Sequence, residues 1–176
     1  ITNAQKPAKF LGFDIFIRRS NDLRKDINGK TIRSLGHVPV LYLNYETMRK
    51  KLFDYKAARI AVENGKEIWK SIVRTYMIDL DDLEIVSQFN AEIRGFYNYY
   101  SIANNSPAIN SFYHIMSYSM YKTFARKYKS SVKKILFQYK KDGTFKVAYE
   151  NSKGKTLYQS FYHDGFKRKK IAGATS

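Results

Sequence analysis

The residues best suited to binding chemistry lie in one stretch, RGFYNYYSIANN, at residues 94–105. In a helix, spacings of i, i+4, i+7 and i+11 place four of its polar side chains on one face: Arg94, Asn98, Ser101 and Asn105. Arginine can hold a phosphate through two hydrogen bonds, and asparagine and serine can reach a backbone or a base edge. Tyr99 lies at the boundary of this face, where its ring can stack on unpaired bases. We therefore predict that these five residues bind RNA; the alternative is that Arg94 and Asn98 fix a neighbouring helix.

Residues that could catalyse a reaction are sparse in this sequence. It contains no cysteine, which removes disulfides, thiol catalysis and cysteine-bound zinc. Its three histidines, His37, His114 and His163, follow no metal-binding spacing, and no glycine-rich phosphate loop is present. The aspartates of residues 79–82 resemble a metal cluster, but acids at a helix start are expected as caps and partners of the helix dipole. We predict no catalytic residue, no metal site and no cofactor.

Charge is distributed unevenly along the sequence. The net charge is +17, and residues 122–170 hold fifteen of the 32 basic residues but three of the 15 acids. Lysine and arginine displace counterions from phosphates, so nucleic acid is the leading candidate partner. An anionic membrane surface and a merely soluble basic domain are the alternatives. No apolar run approaches the roughly 20 residues that span a bilayer, and no targeting segment is recognisable, which favours the cytosol.

Two groups of basic residues are candidates for nucleic-acid contact. The first has spacings of four, three and four along one helical face, with two further bases beside it: Lys122, Arg126, Lys129, Lys133, Lys127 and Lys134. The second is a run near the C-terminus: Lys167, Arg168, Lys169 and Lys170. We predict that the first group binds RNA and that the second group contacts DNA.

The N-terminal part of the sequence predicts a short β segment followed by a helix. Residues 8–18 carry alternating β-formers, and Asn28-Gly29 predicts a hairpin turn. Asn44 can cap a helix that continues to about residue 58. The segment around Trp69 is ambiguous, and we interpret this residue as a core or inter-helix anchor rather than a base-stacking one.

Two long helices are predicted next. Asp79 is suited to cap the first, on which apolar residues recur at helical spacing from Val86 to Tyr100. Ser106-Pro107 predicts the start of the second, and the short link between them implies antiparallel packing.

A hairpin and a tail are predicted after the basic helix. Two β-rich arms within residues 135–149 flank Asp142-Gly143, a strong turn signal. From Asn151 onward the composition shifts to Gly, Ser, Lys and Tyr, and we expect this tail to be loosely ordered without its partner or the rest of the protein.

Taken together, these residues resemble the maturase region, or domain X, of group II intron-encoded reverse transcriptases. That family shows an Arg-Gly, an Asn-Tyr-Tyr and a nearby Asn and then, after a helix, a Thr-(Leu/Phe)-Ala-x-Lys run and a basic segment. The matching residues are Arg94-Gly95, Asn98-Tyr99-Tyr100, Asn104-Asn105, Thr123-Phe124-Ala125 and Lys127 through Lys134. KFLGFDI, at residues 9–15, is similar to the block that closes the polymerase palm in this family. The resemblance covers residues 8–150.

This resemblance guides our prediction of the fold. We predict a mainly α protein: a helical thumb bundle preceded by a short β segment and followed by a β-hairpin and a basic tail. Residues 1–40 would be the end of the palm and a connector, and residues 41–134 the thumb and maturase domain X. Residues 135–176 would be the hairpin, the tail and the start of the DNA-binding region.

The resemblance also implies a function. In the family, the catalytic aspartates lie in a Tyr-Ala-Asp-Asp loop that is absent from this sequence, so we expect no polymerase activity from the chain. The thumb grips the template–primer duplex, and domain X binds the intron RNA and supports its folding for splicing, while the RNA performs the chemistry. We therefore predict an RNA-binding maturase module in a bacterial cytoplasm or an organellar matrix, with no membrane partner. The alternative is a module that contacts target DNA during intron mobility.

Overall fold

A computed structural model describes residues 6–20, 23–33 and 36–169 of the chain. Within these ranges the chain forms ten β-strands and four α-helices. The strands are β1 (Ala8–Phe10), β2 (Phe13–Ser20), β3 (Leu23–Lys25), β4 (Thr31–Arg33), β5 (Gly36–Leu43), β6 (Ala58–Glu63), β7 (Lys66–Ser71), β8 (Lys140–Lys141), β9 (Thr144–Glu150) and β10 (Thr156–Ser160). The helices are α1 (Tyr45–Asp54), α2 (Asp82–Tyr100), α3 (Ile109–Lys127) and α4 (Val132–Tyr139).

The prediction of a mainly α fold is wrong, because strands make up much of the described chain. They form two three-stranded sheets, ordered β1–β2–β5 and β10–β9–β8, and two separate hairpins, β3–β4 and β6–β7. All of these pairings are antiparallel. Short hairpins need only a tight turn between brief arms, and they leave little periodic signal in a sequence that is otherwise helical. The fold is therefore a helical core with β elements attached on several sides.

The first sheet and the second helix are in direct contact. β2 pairs with β1 on one edge and with β5 on the other. The β1–β2 turn contains Gly12 with φ of +80°, a conformation that favours glycine. A Cβ on Gly12 would also collide with the hydroxyl of Tyr100 on α2. This turn therefore has a second, steric reason to carry glycine.

The turn predicted at Asn28-Gly29 is confirmed as the β3–β4 connection. The Asp26 carboxylate accepts the backbone N–H of Asn28 at 2.9 Å and that of Lys30 at 2.8 Å. This Asx-type arrangement closes the turn locally, so it is readable from sequence. The paired arms are short, from Leu23 to Lys25 and from Thr31 to Arg33.

Helix α1 begins at its predicted cap but ends early. The Asn44 side-chain oxygen accepts the backbone N–H of Glu46 at 2.7 Å. The helix stops at Asp54 rather than near residue 58, and Lys56 takes a φ of +51°. The chain then forms the β6–β7 hairpin. Its turn is Asn64-Gly65, with positive φ at both residues.

Trp69 anchors this hairpin to α1. Its ring stacks on Tyr45 with centroids 4.2 Å apart, and its indole N–H donates to the Glu67 carboxylate at 2.9 Å. Trp69 thus packs on the first residue of α1, in agreement with the interpretation of this tryptophan as an anchor.

The antiparallel pair α2 and α3 supplies most of the core. The predicted apolar stripe of α2 is buried: Val86, Phe89, Ile93, Phe96, Tyr97 and Tyr100. Phe96 stacks on Phe112 of α3 at 4.1 Å between centroids. The cap of α2 is Asp81 rather than Asp79, and the Asp81 backbone N–H donates to the Glu84 carboxylate at 3.3 Å. The boundary is therefore two residues later than predicted.

The predicted continuous basic helix is interrupted. α3 ends at Lys127, and Lys129 has a φ of +46°, which turns the chain. α4 begins after Ser131, whose hydroxyl accepts the backbone N–H of Lys134 at 3.3 Å. The single face predicted to run from Lys122 to Lys133 is therefore divided between two helices.

The first arm of the hairpin predicted at residues 135–149 is mostly helical. Residues 135–139 complete α4, where Ile135 is buried against the core, and only Lys140–Lys141 remain as a strand. β-branched and aromatic side chains also fit a buried helix face, so tertiary packing decided the outcome. The turn at Asp142-Gly143 is confirmed, with positive φ at both residues.

Most of the tail is packed rather than loosely ordered. β10 pairs with β9 over five residues, from Thr156 to Ser160. Phe161 and Phe166 are buried and pack on Tyr113 of α3. Residues 170–176 lie outside the described ranges. No helix in the described ranges is long and apolar enough to cross a membrane.

Candidate nucleic-acid interface

The stretch at residues 94–105 forms the end of α2 and the turn that leads to α3. Arg94 and Asn98 are exposed. The Arg94 guanidinium carbon lies 5.0 Å from the centre of the Tyr162 ring, and the Asn98 side-chain oxygen lies 3.5 Å from Lys169 Nζ. This half of the predicted polar face is open to solvent beside the tail.

The other half of the predicted face points inward. Ser101 is 3% exposed, and its hydroxyl donates to the Asn98 carbonyl at 3.1 Å. Asn105 holds the backbone of Leu43, because its oxygen accepts the Leu43 N–H at 2.7 Å and its nitrogen donates to the Leu43 carbonyl at 3.1 Å. The prediction of four outward polar residues is therefore wrong for these two, since α2 ends at Tyr100 and the helical spacing no longer applies.

The asparagine pair at the end of the stretch has a structural role that the sequence did not reveal. Asn104 accepts the Leu41 N–H through its side chain at 3.0 Å and donates its own backbone N–H to the Leu41 carbonyl at 2.7 Å. With Asn105, it satisfies the free edge of β5 as a neighbouring strand would. The two asparagines thus join the α2–α3 turn to the first sheet.

Tyr99 is 49% exposed and firmly held. Its hydroxyl donates to the Leu11 carbonyl at 3.1 Å. Its ring stacks on Phe13 with centroids 5.8 Å apart. An aromatic ring fixed in this way is suited to stacking, because little side-chain freedom is lost on binding.

The basic residues of the α3–α4 segment fall into two classes. Four are exposed and have no acidic partner within the described ranges: Arg126, Lys129, Lys133 and Lys134. Two are occupied by contacts inside the chain. Lys122 Nζ donates to the Ser71 carbonyl at 2.7 Å, and Lys127 Nζ forms an ion pair with Asp82 at 2.8 Å.

The turn between the helices makes a shallow depression of about 380 Å³. Its basic lining comes from α3 and the turn: Lys122, Arg126 and Lys129. The remaining lining residues are Val73, Ala125, Ser130 and Val132, so no acid contributes to this lining within the described part of the chain. Lys133 and Lys134 follow directly in the first turn of α4, where no acid offsets the positive end of the helix dipole.

Comparisons with known proteins identify the family. The family described as Type II intron maturase matches residues 41–172, about three quarters of the chain. The chain belongs to the type II intron maturase family. It is 36% identical over 156 residues to the group II intron-encoded protein LtrA of Lactococcus lactis subsp. cremoris, which covers 88% of this chain and 26% of LtrA. It is also 30% identical over 136 residues to a COX1/OXI3 intron 1 protein of Saccharomyces cerevisiae, covering 71% of this chain and 15% of that protein.

This maturase-family chain thus spans about a quarter or less of the curated relatives that it matches. The family match begins at residue 41, in β5, and extends through the α2–α3 pair, α4 and the second sheet. It therefore includes the two domain X segments that carried the resemblance, whereas KFLGFDI, at residues 9–15, lies before its start.

Asp82 is the centre of a polar cluster in the maturase domain that sequence reasoning missed. Its carboxylate accepts hydrogen bonds from Lys127 Nζ and from the hydroxyls of Tyr128 and Tyr139, all within 2.9 Å. Burial raises the pKa of Tyr139, and the contacts with Tyr128 and Asp82 raise it further, so this hydroxyl remains a donor. The cluster ties the start of α2 to the α3–α4 turn and fixes the basic segment in place.

The tail residues predicted to contact DNA lie along the end of α2. Lys167, Arg168 and Lys169 are exposed. Their segment is nevertheless anchored: the Tyr97 hydroxyl donates to the Lys167 carbonyl at 2.8 Å, and Arg168 Nε donates to the Ile102 carbonyl at 3.1 Å. Lys169 Nζ lies 4.8 Å from the Tyr97 ring centre. Lys170 lies outside the described residues, and DNA contact by this run stays a prediction.

The described ranges contain no group of three His, Asp or Glu side chains placed to hold a metal ion. Asp81 begins α2 and Asp82 serves the cluster described above. Two of the three acids in this segment, Asp81 and Asp82, therefore have structural roles at the start of α2.

Proposed function

We propose that this chain is an RNA-binding maturase module that holds intron RNA and assists its splicing. The observation that carries the proposal is the exposed basic surface of Arg126, Lys129, Lys133 and Lys134 around the α3–α4 turn. Membership of the type II intron maturase family supports the class of partner. The similarity to LtrA, a group II intron-encoded protein, supports the same class.

The charge arrangement favours an extended polyanion over a small anionic ligand. The four cations lie on two helices and the turn between them, and the depression that Arg126 and Lys129 line is shallow. Phosphates along an RNA backbone can meet several such cations at once, and each contact releases condensed counterions. The Asp82 cluster keeps the turn in one geometry, which limits the ordering cost of binding.

Within this proposal, the exposed Arg94, Asn98 and Tyr99 form a second region of contact. Arg94 can fork to phosphate, and Tyr99 offers an aromatic face to an unpaired base. Ser101, Asn105, Lys122 and Lys127 are assigned to holding the surface, since each has a partner inside the chain.

We also propose that the chain supplies binding and that the intron RNA performs the splicing chemistry. In a longer parent protein, the same helical surface suits the backbone of a template–primer duplex, because it recognises charge and shape rather than sequence. The cytoplasm or an organellar matrix is the compartment that fits this role.

A salt titration of RNA binding tests the proposal. The variant replaces Arg126, Lys129 and Lys133 by alanine, and the matched control replaces Lys66, Lys153 and Lys155, which are exposed and form no ion pair within the described ranges. Both lose three charges. Filter binding to a structured group II intron RNA should give a log K versus log salt slope that is lower by about 2–3 for the first variant only.

Equal weakening by the two triple variants would show that net charge, and not this surface, holds the RNA. Competition with duplex DNA tests the alternative: stronger competition by DNA than by intron RNA would favour a DNA-binding module. The competition is run at one fixed salt concentration, because affinities for the two polymers depend on salt.

A further inference from the structure

The outer face of α2 carries a glycine whose presence no backbone conformation or packing contact within the described chain explains. Gly95 is exposed in the interior of the helix, and a Cβ built on it would meet nothing within 4 Å. Glycine at such a position destabilises a helix by roughly 1 kcal/mol relative to alanine. Neither a positive φ nor a close packing contact within the described chain accounts for it, in contrast to Gly12.

The bare helix surface at Gly95 forms part of a concave pocket of about 300 Å³. The other lining residues come from α1, its C-terminal end and α2: Lys51, Tyr55, Phe96, Tyr99 and Tyr100. This volume lies at the lower end of the range for small-molecule sites, about 300–1,000 Å³. The pocket is therefore large enough for one planar ring system and too small for a folded element.

The chemistry of the lining is that of a nucleobase site. Tyr99 presents a held aromatic ring, with Phe13 on one side and its hydroxyl tied to Leu11. Tyr55 and Tyr100 add aromatic surface to the lining, and the Tyr100 hydroxyl lies against the β1–β2 turn at Gly12.

Lys51 adds a cation at the rim of the pocket. Its Nζ lies 5.7 Å from the centre of the Tyr55 ring, and it has no acidic partner in the described ranges. An aromatic pocket with Lys51 at its rim is suited to a nucleotide whose base lies in the pocket and whose phosphate remains outside it. The net charge of the chain favours a polyanion over a peptide as the source of that ligand.

We propose that the Gly95 pocket binds an unpaired nucleobase of the RNA, with the base against the bare α2 backbone, its ring beside Tyr99 and its phosphate near Lys51. The proposal rests on the RNA-binding function proposed above. It adds a site that discriminates unpaired from paired RNA, whereas the basic α3–α4 surface binds both.

A variant whose new side chain fills the pocket tests whether a nucleobase binds there. Gly95→Leu places a side chain in the space for the base, and Ser87→Leu adds the same side chain at another exposed position of α2 as the matched control. The probes are an RNA hairpin with 2-aminopurine in a single-stranded loop and a fully paired RNA duplex of equal length. Stacking on an aromatic ring quenches 2-aminopurine fluorescence.

The wild-type chain is expected to bind the loop RNA more tightly than the duplex and to quench the probe. Gly95→Leu should no longer quench 2-aminopurine fluorescence and should bind the loop RNA about tenfold more weakly. Its affinity for the duplex and the slope of log K against log salt should stay unchanged. Ser87→Leu should behave as wild type. Gly95→Ala, which has room for its Cβ, should melt no lower than wild type and show a smaller loss of affinity.

Full quenching and affinity in Gly95→Leu would overturn the pocket assignment. If the basic-surface variant weakens binding in the same experiment, the proposed function stands and the pocket alone is refuted. If the wild-type chain binds neither RNA, the proposed function fails as well. Loss of duplex and loop binding together in Gly95→Leu would also count against the pocket, because a nucleobase site cannot serve paired bases.

Discussion

The buried pair of Arg74 and Glu92 yields the sharpest stability prediction. The Arg74 side chain is fully buried and that of Glu92 is 9% exposed, with Nη2 and Oε2 2.7 Å apart. The guanidinium carbon also lies 4.0 Å from the centre of the Phe89 ring. Removing one partner of such a pair leaves the other charge buried without compensation, which costs about 3–5 kcal/mol.

The Arg74–Glu92 pair is incompletely hydrogen-bonded, and this determines how replacing both residues changes the free energy of unfolding. Arg74 Nε and Glu92 Oε2 have no well-directed hydrogen bond in the described structure, although Glu92 Oε1 accepts the Gln88 amide at 2.9 Å. The close Nη2–Oε2 contact is thus an ion pair without good hydrogen-bond geometry. The desolvation of two charges is then poorly offset, so an apolar pair of similar volume should be neutral or stabilising.

Urea unfolding of Arg74→Leu, Glu92→Leu and the double variant tests this reasoning. Each single variant should lose about 3–5 kcal/mol of unfolding free energy, or about 6–20 °C in melting temperature for a chain of this size. The double variant should be close to wild type. Gln88→Leu is the control for loss of the neighbouring amide. Single losses that add in the double variant would refute coupling between the two charges, and losses below about 1 kcal/mol would refute the burial cost.

Three further predictions concern the sheet contacts and the tyrosine core. Asn90→Ala should lower the unfolding free energy by about 1–3 kcal/mol, because its amide serves both the Ser160 carbonyl and the Tyr162 N–H; urea unfolding without loss would contradict this. Gly12→Ala should melt well below Gly29→Ala, since both have positive φ but only Gly12 also meets Tyr100; equal melting temperatures would remove the steric argument. Burial, with smaller effects of Tyr113 and Tyr118, raises the pKa of Tyr121 to about 12, above the value of about 10 for an exposed tyrosine. Because the folded state holds the Tyr121 proton more tightly than the unfolded state, the protonated phenol contributes fully to the free energy of unfolding below about pH 10, and this contribution is lost as the pH rises towards 12. Tyr121→Phe should therefore make the free energy of unfolding less dependent on pH between about pH 10 and 12.

Local signals predicted the helical core and the turns. The apolar residues of α2 are buried as their spacing indicates, because the helical period fixes which side chains share a face. Asn44, Asn28-Gly29 and Asp142-Gly143 act where predicted, since a cap or a tight turn depends on a few adjacent residues. The resemblance carried by Arg94-Gly95, Asn98-Tyr99-Tyr100 and the basic run led to the family.

Elements that depend on distant packing were misjudged. Residues 135–139 have strand-like composition, yet Ile135 and its neighbours are helical against the core. Phe161 and Phe166 give the tail apolar anchors whose binding sites on α3 exist only after folding. Such outcomes depend on which surfaces meet, and composition alone does not specify the partner.

The amino-acid sequence by itself determined the family, the excess of positive charge in residues 122–170 and the buried stripe of α2, because these follow from residue type and local spacing. The tertiary structure alone decided how the polar residues are used. In the folded chain, Ser101 and Asn105 point inward, and Lys127 forms an ion pair with Asp82. Four basic residues have no acidic partner within the described ranges: Arg126, Lys129, Lys133 and Lys134. The physical reason is that a polar side chain bonds whatever the fold brings within about 3 Å, and several of these partners lie more than 40 residues away in the chain.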